Sequence, residues 1–118
     1  KPIVSYHKYD GALNVSTMEK ILDVEIASGA SICKIVTTAK QIEDNLPDLS
    51  FVTFAYSKKK QVCFCMGEHG RISRVLSPLF GAFFTFASLE QGSETAGGQM
   101  SIEKMRDAYR FFGVKQDE

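Results

Sequence analysis

Lys34 lies within Ser31-Ile-Cys-Lys-Ile-Val-Thr37, an apolar, β-branched run that reads as a buried strand. Burial disfavours an ammonium ion, so a lysine held there shifts toward the neutral amine, which can attack a carbonyl carbon and form an imine. The position equally suits a structural lysine whose stem packs and whose head reaches solvent. His7 closes the run from Pro2. A neutral imidazole near a nucleophilic amine can shuttle protons during imine formation and remove one from the carbon beside the iminium. Arg74 carries the planar fork of donors that pairs with a carboxylate, or it is a solvated helix residue. His69, in the Gly-flanked Glu68-His69, is expected to face water. Cys33, Cys63 and Cys65 are odd in number and lack the C-x-x-C spacing of zinc or redox sites, so they read as buried reduced thiols.

These residues need a frame, and the frame is a regular alternation of strand and helix patterns. Pro2 to His7 is strand-like. Ser16 with Glu19 has capping-box spacing for a helix with Met18, Ile21, Leu22 and Ile26 on one face and Gly29 as its stop. Ser31 to Thr38 is the second strand, followed by a helical stretch over 40–57 that Pro47 should kink or split, with Ile42, Leu46, Leu49 and Phe54 inward. Gln61 to Met66 is the third strand, and Ile72, Val75, Leu76, Leu79 and Phe80 form an apolar helical stripe weakened late by Pro78. A fourth strand over Phe83 to Ser88, a Gly-rich loop over 91–99, and a helix after Ser101 with Ile102, Met105, Tyr109 and Phe112 inward complete the pattern.

The predicted fold class is therefore α/β, with four consecutive βα units and parallel strands in a single domain over residues 1–118. Four such units form a small open sheet or the second half of an eight-stranded (βα)8 TIM barrel, which needs about 250 residues. A half-barrel leaves strand edges and one apolar sheet face open, so a homodimer or association with a missing N-terminal half is expected. The chain starts at Lys1 on the threshold of a strand, without a methionine, and so reads as a fragment or a processed form.

Of the 118 residues 44% are hydrophobic and 24% charged, balancing to a net charge of zero, which suits a packed domain and gives no general drive toward a polyanion. Lys58-Lys59-Lys60 reads as a solvated turn, so no nucleic acid partner is expected. No apolar stretch nears the roughly 20 residues that cross a bilayer. No membrane partner is expected, and a cytoplasmic location follows by default.

Five segments, taken in order, resemble type I 3-dehydroquinate dehydratases: Val4-Ser5-Tyr6-His7, Cys33-Lys34-Ile35-Val36, Met66 to Arg74, Gly81 to Phe86, and Thr95-Ala96-Gly97-Gly98-Gln99. The resemblance runs over nearly the whole chain and is to the C-terminal half of that family's barrel. It implies a lyase of the shikimate pathway, serving aromatic amino acid biosynthesis, that converts 3-dehydroquinate to 3-dehydroshikimate without metal or organic cofactor. Position by position, it makes Lys34 the Schiff-base lysine, His7 the general acid/base, Arg74 the partner of the substrate carboxylate and Gln99 a loop residue bonding substrate hydroxyls. It puts Thr95 where many relatives have serine, Gly97 where proline is common, and Met66 and Phe86 among pocket-lining apolar residues. It also implies that further binding residues, and a glutamate that orients the histidine, belong to the other half. The chain alone is then expected to be a poor catalyst. Two other classes stand beside this reading: a different class I Schiff-base aldolase or lyase, and a non-catalytic half-barrel that serves assembly.

Overall fold

The computed structural model describes residues 2–83 and 101–114. Three strands, β1 (Ile3–His7), β2 (Ile32–Thr38) and β3 (Gln61–Met66), form a parallel sheet in the order β1-β2-β3. Helices α1 (Val15–Ala27), α2 (Asn45–Ala55) and α3 (Arg71–Phe80) follow the three strands in turn, and α4 (Ile102–Phe111) comes last. Parallel neighbours need crossovers, and α1 and α2 supply them. The fourth expected strand lies outside the described residues beyond Phe83, whose amide donates to the Gln61 carbonyl at 2.7 Å.

Strand alternation divides the sheet into two faces. On one face Cys33, Ile35 and Cys63 pack with Met18 and Leu22 of α1 and with Phe51, Val52 and Ala55 of α2, all of them buried. On the other face Val36, Val62 and Phe64 form a smaller cluster with Ile32 and Met66 against it. All three cysteines are buried free thiols, as their spacing predicts.

Several local expectations give way. Helix α1 is capped by Asn14, whose side chain accepts from the Thr17 amide at 2.8 Å, so the Ser16/Glu19 box does not form. An asparagine two residues upstream is as good a cap, and it wins because Val15 already has helical geometry. Gly29, at φ +89°, ends the helix as expected. The stretch after β2 is split, but before Pro47: a 3-10 turn over Ile42–Asp44 leads into α2, and Pro47 sits in the first turn of α2, where a missing N–H costs nothing.

The largest correction concerns which sides of α2 and α3 face inward. Ile42, Leu46 and Phe54 are 52%, 62% and 42% exposed, whereas Asn45 and Asp48 are buried with Phe51, Val52 and Ala55. In α3 the apolar stripe is largely outward, with Ile72, Leu79 and Phe80 exposed and Ser73, Arg74 and Ser77 buried beside Val75. The reason is hydrogen bonding. The outer edge of β3 presents backbone groups that Ser73 and Ser77 satisfy: the Cys65 amide donates to Ser73 Oγ at 2.8 Å, and Ser77 Oγ donates to the Cys63 carbonyl. In α4, Ser101 caps the first turn and Met105 is buried as expected, but Phe112 is 50% exposed.

Candidate active site

Register and alternation place the chemistry. Ser5 pairs with Lys34, which pairs with Val62; His7 pairs with Val36, which pairs with Phe64; and Thr38 pairs with Met66. His7, Lys34, Phe64 and Met66 therefore share the face opposite α1 and α2. Lys34 lies deeper along the strand direction than His7, which sits at the carboxyl end of β1.

Arg74 reaches this same face from α3. Its guanidinium carbon lies 4.2 Å from the centroid of the Phe64 ring, and the residue is 2% exposed. Its placement depends on a local network. The buried Asn45 side chain donates to the carbonyls of Ile42 and His69 at 2.8 and 2.7 Å and accepts from the Ser73 amide at 3.2 Å. Ser73 Oγ in turn donates to the Gly70 carbonyl at 3.1 Å. Gly70 packs so tightly on β3 that a Cβ there would collide with the Cys65 backbone, and Gly67 turns the chain with φ +92°. This turn fixes the start of α3 and hence the bearing of Arg74.

The three groups feel one another. Half-buried Lys34 is held below its ordinary range, first by desolvation and then by the positive charge of Arg74. His7 is likewise lowered, by burial and then by the charge of Lys34, so its imidazole is neutral at physiological pH. The His7 ring stacks on Tyr9, with centroids 5.7 Å apart and planes inclined by 12°. Burial brings Arg74 down to about 10, which leaves it cationic near neutrality. An amine of reduced basicity, a neutral imidazole and a fixed guanidinium on one sheet face can form an imine, move a proton and hold an anion.

The structure thus brings together Lys34, His7, Arg74 and Met66. Phe86, Thr95 and Gln99 lie outside the described residues. His69 is exposed, as expected. Asn45, Ser73 and Ser77 have no part in the sequence-based site, yet they orient α3. The available signal is the polar strip Ser73-Arg74 and Ser77, three and four residues apart on one helix face. Among the described residues no group of three or more His, Cys, Asp and Glu side chains is arranged to hold a metal ion.

Parallel βα units with a lysine inside a strand, a histidine at a strand end and a buried arginine on the same sheet face have the layout of part of a βα-barrel. The family model for type I 3-dehydroquinase matches residues 1–116, and the chain belongs to that family. It is 38% identical over 110 residues to a 3-dehydroquinate dehydratase of Dehalococcoides mccartyi, covering 93% of this chain and 49% of the relative. Against the 3-dehydroquinate dehydratase of Thermococcus gammatolerans it is 40% identical over 104 residues, covering 88% and 46%. Among solved structures, the 3-dehydroquinate dehydratase of Geobacillus kaustophilus superposes with a TM-score of 0.84 at 30% identity, over 94% of this chain and 43% of that one. The chain spans about half the length of the curated relatives it matches, and its fold is that of part of their barrel.

Proposed function

We propose that this chain forms the C-terminal half of a barrel that dehydrates 3-dehydroquinate to 3-dehydroshikimate through an imine on Lys34, as a step of aromatic amino acid biosynthesis. The single observation that carries the reading is the convergence of Lys34, His7 and Arg74 on one sheet face. The neutral Lys34 amine adds to the substrate ketone, and loss of water leaves a protonated imine. That cation draws electrons from the neighbouring carbon, so the neutral His7 imidazole can remove a proton from it and leave an enamine. The enamine then expels the β-hydroxyl, which departs as water with the proton carried by His7. Hydrolysis of the imine returns Lys34 and releases the product. Arg74 holds the substrate carboxylate, and Met66 gives the site an apolar wall. Thr95, Gln99 and Phe86 complete the substrate contacts in this proposal.

The substrate is the partner we assign, with neither nucleic acid nor membrane involved, and the chemistry calls for no cofactor. Among the described residues no helix is long and apolar enough to cross a membrane, and we place the protein in the cytoplasm. Residues 1–118 act as one domain that works with a complementary half of the barrel or, failing that, with a second copy. Following the product's enone absorbance tests the reading. The chain mixed with the unmatched half of the Dehalococcoides mccartyi relative should form product, and Lys34→Ala should lose at least about a thousandfold of that rate. Product formation that survives Lys34→Ala would rule the mechanism out.

A further inference from the structure

The bonds of Asn45 and Ser73 fix the backbone at the start of α3, but they stop there. An arginine side chain keeps several rotatable bonds beyond its Cα and spreads over many rotamers unless its far end is held. Phe64 holds it. The Arg74 guanidinium carbon lies over the Phe64 ring, 4.2 Å from its centroid, which is contact distance for two flat groups. The ring is itself fixed: Phe64 is 3% exposed, packs with Val36 and Val62, and has Ile32 and Met66 against that cluster. Two other cations lie over rings, Lys58 over Phe54 at 5.1 Å and Lys60 over Phe83 at 4.7 Å, but both lysines are exposed. Attraction between a cation and a ring strengthens as water is excluded, so among these pairs Arg74 and Phe64 are the one placed to fix a geometry.

The kind of partner matters. A carboxylate beside Arg74 would hold it by taking up N–H donors, whereas an aromatic face holds the cation without drawing on them. A guanidinium lying on a ring keeps its donors in its own plane, pointing past the ring edge, and such a fork makes two parallel hydrogen bonds only to a carboxylate that shares that plane. Phe64 also stands on the face of Lys34, which pairs with Val62 two residues earlier in β3. Resting on the dehydratase reading above, we propose that Phe64 is a positioning residue for the substrate carboxylate: its ring sets the plane of the Arg74 guanidinium, and so the angle at which the substrate ketone meets the Lys34 amine.

NMR relaxation at Arg74 Nε in this chain gives the first readout. That group should be as rigid as the backbone of α3, with the Nε of exposed Arg71 mobile, and an Arg74 Nε as mobile as that of Arg71 would overturn the proposal before any substitution is made. Phe64→Leu, which stays apolar and removes the ring, should free the Nε and raise the pH midpoint of Lys34 acylation by about half a unit or more, because the released cation moves away from the amine. The same substitution made in Arg74→Gln should leave the midpoint in place, and equal rises in both backgrounds would reduce Phe64 to packing and overturn the proposal. Phe64→Tyr keeps the ring face and should behave as the parent chain; a midpoint raised as far as in Phe64→Leu would also overturn it. Borohydride trapping with the complementary half present separates the platform from the chemistry. The 3-dehydroquinate concentration that gives half the maximal Lys34 adduct should rise about tenfold in Phe64→Leu, while that for cyclohexanone, a ketone without a carboxylate, stays the same. A rigid Arg74 coupled to Lys34 but no 3-dehydroquinate adduct removes the dehydratase reading and leaves Phe64 as the platform of Arg74. An adduct with unchanged concentration dependence in Phe64→Leu, or with equal rises for both ketones, does the reverse.

Discussion

Lys34 owes its reduced basicity to its surroundings: it is desolvated on the face that carries Val36, Val62 and Phe64, and Arg74 adds a positive charge. Both effects disfavour the ammonium ion, so the amine is available at a lower pH than on a free lysine. Reaction of Lys34 with a neutral acylating reagent, followed by peptide mass across a pH series, should therefore show a midpoint below 10.5. Arg74→Gln should move that midpoint upward by removing the repelling charge, while a midpoint that does not move would mean that the two do not interact. The placement of Lys34 inside a strand and of His7 at a strand end was legible from residue type and strand pattern. Residue type and spacing left Arg74 open between an inward clamp and a solvated helix residue, and only the family resemblance turned it inward. The bonds of Ser73 and Ser77 to β3 show how α3 carries it there.

At the scale of elements, strand boundaries came through closely because apolar β-branched runs end at clear turns, as in β2 and β3. The faces of α2 and α3 did not, although that of α1 did. Hydropathy sends Asn45 and Asp48 outward and Leu46 inward, yet the partners that keep the first two buried come from distant segments. Asn45 binds the His69 carbonyl and the Ser73 amide, and the Thr37 hydroxyl donates to Asp48 at 3.0 Å. Substitutions on the two sides of α2 should therefore rank by burial and not by hydropathy. Leu46→Ala, at 62% exposure, should cost under about 1 kcal/mol, and Phe51→Ala, fully buried, about 3–5 kcal/mol. Urea unfolding measures both, and a larger loss at Leu46 than at Phe51 would place α2 the other way round.

For the molecule as a whole, two buried carboxyls set the response to pH. Desolvation raises Asp48 to about 6, against the opposing pull of the Cys63 and Thr37 hydrogen bonds, and raises Glu25 to about 7. Both values lie above the ordinary 3.8 and 4.5, so the folded chain holds protons that the unfolded chain has released. Stability is then fullest below about pH 4, as far as these two groups go. It falls as pH rises toward 6 to 7 and stays at its reduced level above that range. For Asp48 alone the loss is bounded at roughly 3 kcal/mol. Asp48→Asn should flatten that part of the profile in urea midpoints taken from pH 4 to pH 8, and a profile unchanged by the substitution would contradict this assignment. Neither carboxyl stands out in the sequence, because burial of an acid depends on which helix face turns inward.

The measurement that bears most directly on the account is peptide mapping after borohydride reduction of 3-dehydroquinate bound to this chain with its complementary half present. Reduction converts an imine into a stable secondary amine on the lysine that formed it. One adduct is expected, on the peptide carrying Lys34, lost in Lys34→Ala and reduced in Arg74→Gln. An adduct on another lysine, or none from a mixture that still turns over substrate, would contradict it.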